Sequence, residues 1–262
     1  MSSYKIFETH AHYDDEAFDE DRDVLLGSMD ENGIQEVVNV CASIDSLEKT
    51  KALMEKYSFV YGAFGIHPDD AELMTEEVLD KVRECCGLDK AVAVGEIGRD
   101  YYWHKEAGEH DLQKKVFRQQ MEIAREFHMP FMVHSREAAA DTLDLVKDCV
   151  NEGMYGGIIH CFSYGKEMAR EYLNMGLYLG IGGVVTFNNA RKVKEVVEYA
   201  PLEQIVLETD SPYLSPVPYR GKRNCSLNLP LVAEEIGRIK GISSEEVVRV
   251  TGDNARRLLL RK

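Results

Sequence analysis

YKIFETHAH (residues 4–12) alternates as a strand does. Successive side chains of a strand point to opposite faces, which sets Ile6, Glu8, His10 and His12 on one side. Two imidazoles then project together from the end of an apolar strand, and neutral imidazole is a good ligand for zinc, iron, nickel and copper. Eight histidines in 262 residues make an isolated H-x-H as easily a chance pairing as a metal site. The meaning of this stretch turns on whether other strands bring matching ligands to the same place.

Outward from it the chain keeps one rhythm. Strands are expected over 34–42, 59–68, 90–100, 129–135, 155–162, 177–183 and 201–210. Helices are expected over 16–32, 43–57, 75–86, 109–128, 136–152, 166–176, 189–199, 227–240 and 243–260. KAVAVGEIGRD (90–100) is a nearly continuous apolar run, as in a parallel strand covered on both faces. Eight strands alternating with helices, with no linker, repeat or second compositional region, predict a single-domain (β/α)8 TIM barrel, an α/β fold spanning 1–262. An open doubly wound sheet would carry a glycine-rich phosphate loop after an early strand, and no G-x-G-x-x-G follows the first strand here.

Composition is 44% apolar and 29% charged, enough for a sizeable core. The longest apolar runs, such as YLGIGGVV (178–185), are too short to span a bilayer, and MSSYKIFETH lacks a basic segment followed by an apolar one. No membrane association or secretion is therefore expected. Cysteines 41, 85, 86, 149, 161 and 225 show neither C-x-x-C spacing nor a disulfide framework, which predicts reduced thiols and a cytoplasmic location. Cys161 adjoins His160 but reads as a small buried apolar residue rather than a nucleophile. The net charge of −15 argues against a protein that coats nucleic acid through a basic surface. It leaves room for a nuclease whose bound divalent cations supply the local positive charge. No obligate protein partner is evident.

A barrel does its chemistry at the C-terminal ends of its strands. Strand one ends with His10 and His12, strand three with His67, strand four with Glu96, strand five with His134, strand six with His160 and strand eight with Asp210. His104, His110 and His128 fall in loops or helices, where they are expected to be solvated. Four imidazoles and two carboxylates suit Zn, Mn, Fe, Co or Ni, whereas Ca demands mainly oxygen. Six donors exceed a closed structural zinc site and fit two cations joined by a bridging group, for which Glu96 is the natural choice.

With ETHAHYDD (8–15), GIHPDDA (65–71), VGEIGRDYYW (94–103), VHSREA (133–138), HCFS (160–163) and ETDSPYLSPVPYRGKRN (208–224) in view, the chain resembles the TatD-type metal-dependent deoxyribonucleases of the amidohydrolase superfamily, nearly end to end. The resemblance implies one cation held by His10, His12, Glu96 and Asp210, and a second held by Glu96, His134 and His160. Two divalent cations per chain are implied, drawn from Zn, Mn, Mg, Co or Ni. It also implies phosphodiester hydrolysis in DNA, with single strands or ends as the expected substrate. Arg99 departs from the leucine usual in GEIGLD, and either turns to solvent or adds charge near the substrate mouth.

On this reading Asp210 and Glu96 are the catalytic carboxylates: Asp210 accepts the proton of the attacking water or is ligand only. Glu208 orients an imidazole from behind. His67 contacts a phosphate or completes the supporting shell. Arg220, Lys222 and Arg223 concentrate positive charge beyond strand eight and are expected to meet phosphate. The rival enzymes are phosphotriesterases, lactonases, amidases and aminoacyl-tRNA deacylases. Many such relatives carry a carbamylated lysine on strand four, where this chain presents Glu96 and has no lysine until Lys105.

Overall fold

A computed structural model describes residues 5–260, so Tyr4, where the first strand is expected to begin, lies outside the described residues. Strands β1 (Ile6–Ala11), β2 (Ile34–Val40), β3 (Val60–Phe64), β4 (Ala91–Asp100), β5 (Phe131–Arg136), β6 (Gly157–Ile159), β7 (Tyr178–Ile181) and β8 (Ile205–Leu207) form one sheet in chain order. Every neighbouring pair is parallel. The edges meet beyond β8 at the bridge between Ala11 and Ser211, where His12 N–H donates to Ser211 O (2.8 Å) and Asp210 N–H to His10 O (2.9 Å). The sheet is a nearly closed eight-stranded barrel, as the alternation predicts.

The wall outside it is built from α1 (Arg22–Gly27), α2 (Ile44–Lys56), α3 (Glu76–Cys86), α4 (Ala107–Glu126), α5 (Ala139–Asn151), α6 (Lys166–Asn174), α7 (Arg191–Tyr199), α8 (Leu229–Lys240) and α9 (Ser244–Leu259). The α2 helix shows why these segments are helical. Ser43 and Ser46 close a reciprocal cap, and Leu47, Thr50, Leu53 and Met54 recur at helical spacing on the buried face. Among the described residues, no helix is long and apolar enough to cross a membrane.

The structure departs from the expected elements in two places. The single helix expected over 16–32 is broken into a 3-10 turn (Glu16–Phe18), α1, and a second turn (Asp30–Asn32). Asp15 accepts from Ala17 N–H, and Arg22 donates to the carbonyls of Tyr13 and Asp15. Side-chain bonds of this kind compete with helical ones. Strands six and eight stop short of their expected ends, and just beyond them Cys161 (φ 46°) and Asp210 (φ 58°) turn into the left-handed region at the rim. His160 and Asp210 thus sit where the chain leaves the ladder.

Candidate metal centre at the barrel rim

The end of β1 sends His10 and His12 to the same point, with Nε2 atoms 3.2 Å apart. Glu96 Oε2 approaches them at 3.2 and 3.7 Å, and Asp210 Oδ1 at 4.0 and 3.4 Å. A tetrahedral cation with bonds of about 2.1 Å has donor-to-donor edges of about 3.4 Å, and these separations scatter around that value. His12 Nδ1 lies 2.7 Å from Val40 O, so its N–H donates there and Nε2 is the nitrogen turned to the cluster.

Glu96 is divided between two neighbourhoods. Its Oε2 faces His10 and His12, while Oε1 lies 2.9 Å from His134 Nδ1, 3.7 Å from His160 Nε2 and 3.9 Å from His67 Nε2. His160 Nε2 also stands 3.4 Å from Asp210 Oδ1, and its ring stacks on His10 at 3.5 Å. Each outer nitrogen meets an acid: His134 Nε2 lies 3.0 Å from Asp100 Oδ2, and His160 Nδ1 lies 3.2 Å from Glu208 Oε1. Carboxylates behind imidazoles fix their orientation and raise their basicity. Glu208 is fully buried in a cradle that glycine makes: a Cβ on Gly180 would lie 2.1 Å from Glu208 Oε2.

Burial opposes charge throughout the cluster. Even so the imidazoles, His160 foremost, hold Glu96 and Asp210 well below the usual carboxylate range. In return, and also against burial, Asp210 and Glu96 push His12 up to about 9, and Asp100 and Glu96 do the same for His134. His10 is the exception, held below the usual imidazole range by burial and by His160. Converging nitrogen and oxygen donors with oriented imidazoles suit divalent cations.

His12, His67, Glu96, His134, His160 and Asp210 open on one cavity of about 690 Å³. The rim therefore brings together His67, Glu96, His134, His160 and Asp210 with the β1 pair, and Glu208 behind them. The cationic loop is not among the residues lining that cavity. Arg220 stacks over Phe187 at 4.4 Å and Lys222 lies 5.9 Å from the Tyr219 ring. Arg223 grips both oxygens of Asp21 at 2.7 and 2.6 Å, donates to Ala17 O and covers Phe18. Arg223, expected to meet phosphate, is thus engaged in an internal clasp. Arg99 corrects the other expectation as well. It is buried, with a nitrogen donating to His110 O and another 3.6 Å from Asp141, because alternation turns Glu96, Gly98 and Asp100 inward and Arg99 outward between α4 and α5. His104 is held by Asp69 and Glu109, and His110 stacks on Tyr101, so neither is freely solvated; His128 is exposed. Burial pushes the Cys161 thiol well up, which disqualifies it as a nucleophile at neutral pH.

A model of the TatD-related DNases matches residues 7–260. The chain belongs to this family. It is 40% identical over 253 residues to the uncharacterized metal-dependent hydrolase YabD of Bacillus subtilis, covering 97% of this chain and 98% of that one. It is 29% identical over 249 residues to the 3'-5' ssDNA/RNA exonuclease TatD of Cronobacter sakazakii, covering 93% and 94%. The crystal structure of the TatD homologue YJJV from Escherichia coli superposes with a TM-score of 0.90 at 24% identity, over 98% of this chain and 99% of that one, and shares the fold. The chain is accordingly a metal-dependent hydrolase.

Sequence reasoning passed over Asp100, although alternation from Glu96 through Gly98 points it into the same barrel. A Cβ at Gly98 (φ 153°) would lie 1.9 Å from His134 O, so only glycine lets β4 approach β5 closely enough for Asp100 to reach His134. Burial raises the Asp100 carboxyl, but His134 and the amides of Trp103 and Tyr102 outweigh it and hold the group at about 2. Trp103, Arg136 and Tyr213, which line the cavity mouth, were missed too. Exposed aromatics carry no periodic signal.

Proposed function

We propose that this metal-dependent hydrolase cleaves phosphodiester bonds in nucleic acid, with DNA as substrate and single strands or ends as the favoured form. The observation that carries the reading is the division of Glu96, one oxygen toward His10 and His12 and the other toward His134, His160 and His67. His10, His12, Asp210 and Glu96 Oε2 would hold one divalent cation, and Glu96 Oε1, His134 and His160 a second; Zn, Mn, Mg, Co or Ni suits these donors. Bound there, the cations supply Lewis acidity at the phosphoryl oxygens and acidify water.

The remaining roles belong to the chain. Asp210 keeps 18% of its side chain open to the cavity, so it can take the proton of an attacking water as well as serve as a ligand. Asp100 and Glu208 hold His134 and His160 in register. His67 Nδ1 is occupied by the Asp69 amide at 3.2 Å, which leaves Nε2 for the cavity and a phosphate oxygen. The six free thiols fit a cytoplasmic site of action.

The test is a time course on end-labelled single- and double-stranded DNA, with Mg, Mn, Co and Zn added in turn. The expected result is cation-dependent shortening that Glu96→Gln abolishes. Turnover of a lactone or phosphotriester without cleavage of either DNA would overturn the reading.

A further inference from the structure

The cavity mouth carries large aromatic surface in a place where a purely polar site has no use for it. Trp103 is 64% exposed and Tyr213 55% exposed, and both line the cavity that holds His12, Glu96, His134, His160 and Asp210. Each is tied to the cluster by the backbone. Asp100 Oδ1 accepts from the amides of Tyr102 (2.8 Å) and Trp103 (3.2 Å), while its Oδ2 faces His134. Tyr213 N–H donates to Asp210 O at 2.8 Å, and its hydroxyl to Asp15 at 3.2 Å. Trp103 is further braced: Tyr102 meets it edge-on at 4.6 Å, and the Arg136 guanidinium lies 3.9 Å from the Tyr102 ring and 5.7 Å from the Trp103 ring.

We propose that Trp103, braced by Tyr102 and Arg136 and accompanied by Tyr213, is a stacking platform for an unpaired nucleobase of the substrate. The proposal rests on the nucleic-acid reading above and names how this chain holds such a substrate. At a net charge of −15 the protein cannot hold a polyanion by long-range attraction, and the expected cationic loop is partly spent on Asp21. Base stacking on an aromatic face is independent of that charge and tolerant of sequence. Asp100 links the backbone of the platform to His134, so a nucleotide whose base lies on Trp103 would bring its phosphate toward the acid–imidazole cluster. Arg136 supplies the local positive charge. Inside a duplex both faces of a base are covered by its stacked neighbours and pairing holds it in the helix, so the platform favours unpaired ends.

Trp103 is the one tryptophan of the chain, which makes the test direct. The metal-loaded protein is titrated with a short phosphorothioate oligo-dT, and with an abasic oligomer of the same backbone, while tryptophan emission is followed. Cleavage of ordinary end-labelled oligo-dT is measured in parallel. The expected result is saturable quenching by oligo-dT, none by the abasic oligomer, and little sensitivity to salt. Anisotropy of a labelled oligo-dT should show about tenfold weaker binding for Trp103→Ala, mostly restored in Trp103→Phe. Cleavage without any change in emission, or equal quenching by the abasic oligomer, overturns the platform and leaves the nuclease reading standing. Neither quenching nor cleavage overturns both.

Discussion

The carboxylate of Glu8 accepts hydrogen bonds from both the amide (2.9 Å) and the hydroxyl (2.7 Å) of Thr209, 201 positions further along the chain. Ser226 Oγ (2.9 Å) and the His10 amide (3.0 Å) complete a set of four donors around a fully buried acid. Glu8 thereby ties β1 to the end of β8, and it does so beside His10 and Asp210.

Glu8→Gln replaces one acceptor oxygen with an amide NH2 that faces the hydroxyls of Thr209 and Ser226. The expected cost is about 2–4 kcal/mol of folding stability, since buried donors lose their partner. Urea denaturation checks this, and metal affinity should fall with it as His10 and Asp210 drift apart. An unchanged midpoint would show that Glu8 does not hold the seam.

Gly180 gives room to the carboxylate that stands behind His160. An alanine there places its Cβ 2.1 Å from Glu208 Oε2 and 2.5 Å from Cδ, and the buried acid has no slack. Gly180→Ala should displace Glu208 and release the Cys161 amide, which it now holds at 2.6 Å. Loss of the acid behind an imidazole ligand costs about 10–100-fold in metal affinity or activity. Metal stoichiometry, read beside circular dichroism to show a retained fold, measures it. Full metal content and turnover would remove Glu208 from the supporting role.

The barrel was legible because parallel strands and amphipathic helices leave strong periodic traces, and expected strand-end position gathered His10, His12, His67, Glu96, His134, His160 and Asp210. Asp100 shared that position but sat behind Arg99, whose unusual identity drew the reading outward. The bonds that matter at the seam, such as Glu8 to Thr209, join residues far apart in sequence and leave no local mark. Arg223 shows the same limit from another side. Its neighbours in sequence are cations, whereas its neighbour in space is Asp21.

Arg223→Ala separates a role in stability from one in substrate binding. The side chain makes a paired contact with Asp21 at 2.7 and 2.6 Å and covers Phe18, but both partners are partly exposed. Such pairs contribute about 1 kcal/mol. The expected outcome is a lower Tm with KM for DNA unmoved. A raised KM at unchanged Tm would restore the phosphate role.

Glu235 clips α8 to α7 and sets a pH dependence remote from the metal centre. Arg238 donates to both its oxygens at 2.7 and 2.9 Å, and Lys194 of α7 lies 3.1 Å away. Chiefly through the Arg238 bonds, and against burial, the carboxyl is held at about 2. A carboxyl lowered in the folded state stabilises fully above its unfolded value of about 4.5, and that stability is lost as pH falls toward about 2. Arg238 is 65% exposed, so solvent screening reduces the contribution to about 1 kcal/mol. Glu235→Gln should therefore lower the urea midpoint at pH 7, and the gap between variant and parent should narrow steadily as the measurement is repeated from about pH 5 toward pH 3. A gap that stays constant over that range would show that the clip acts through shape, with no contribution from its charge.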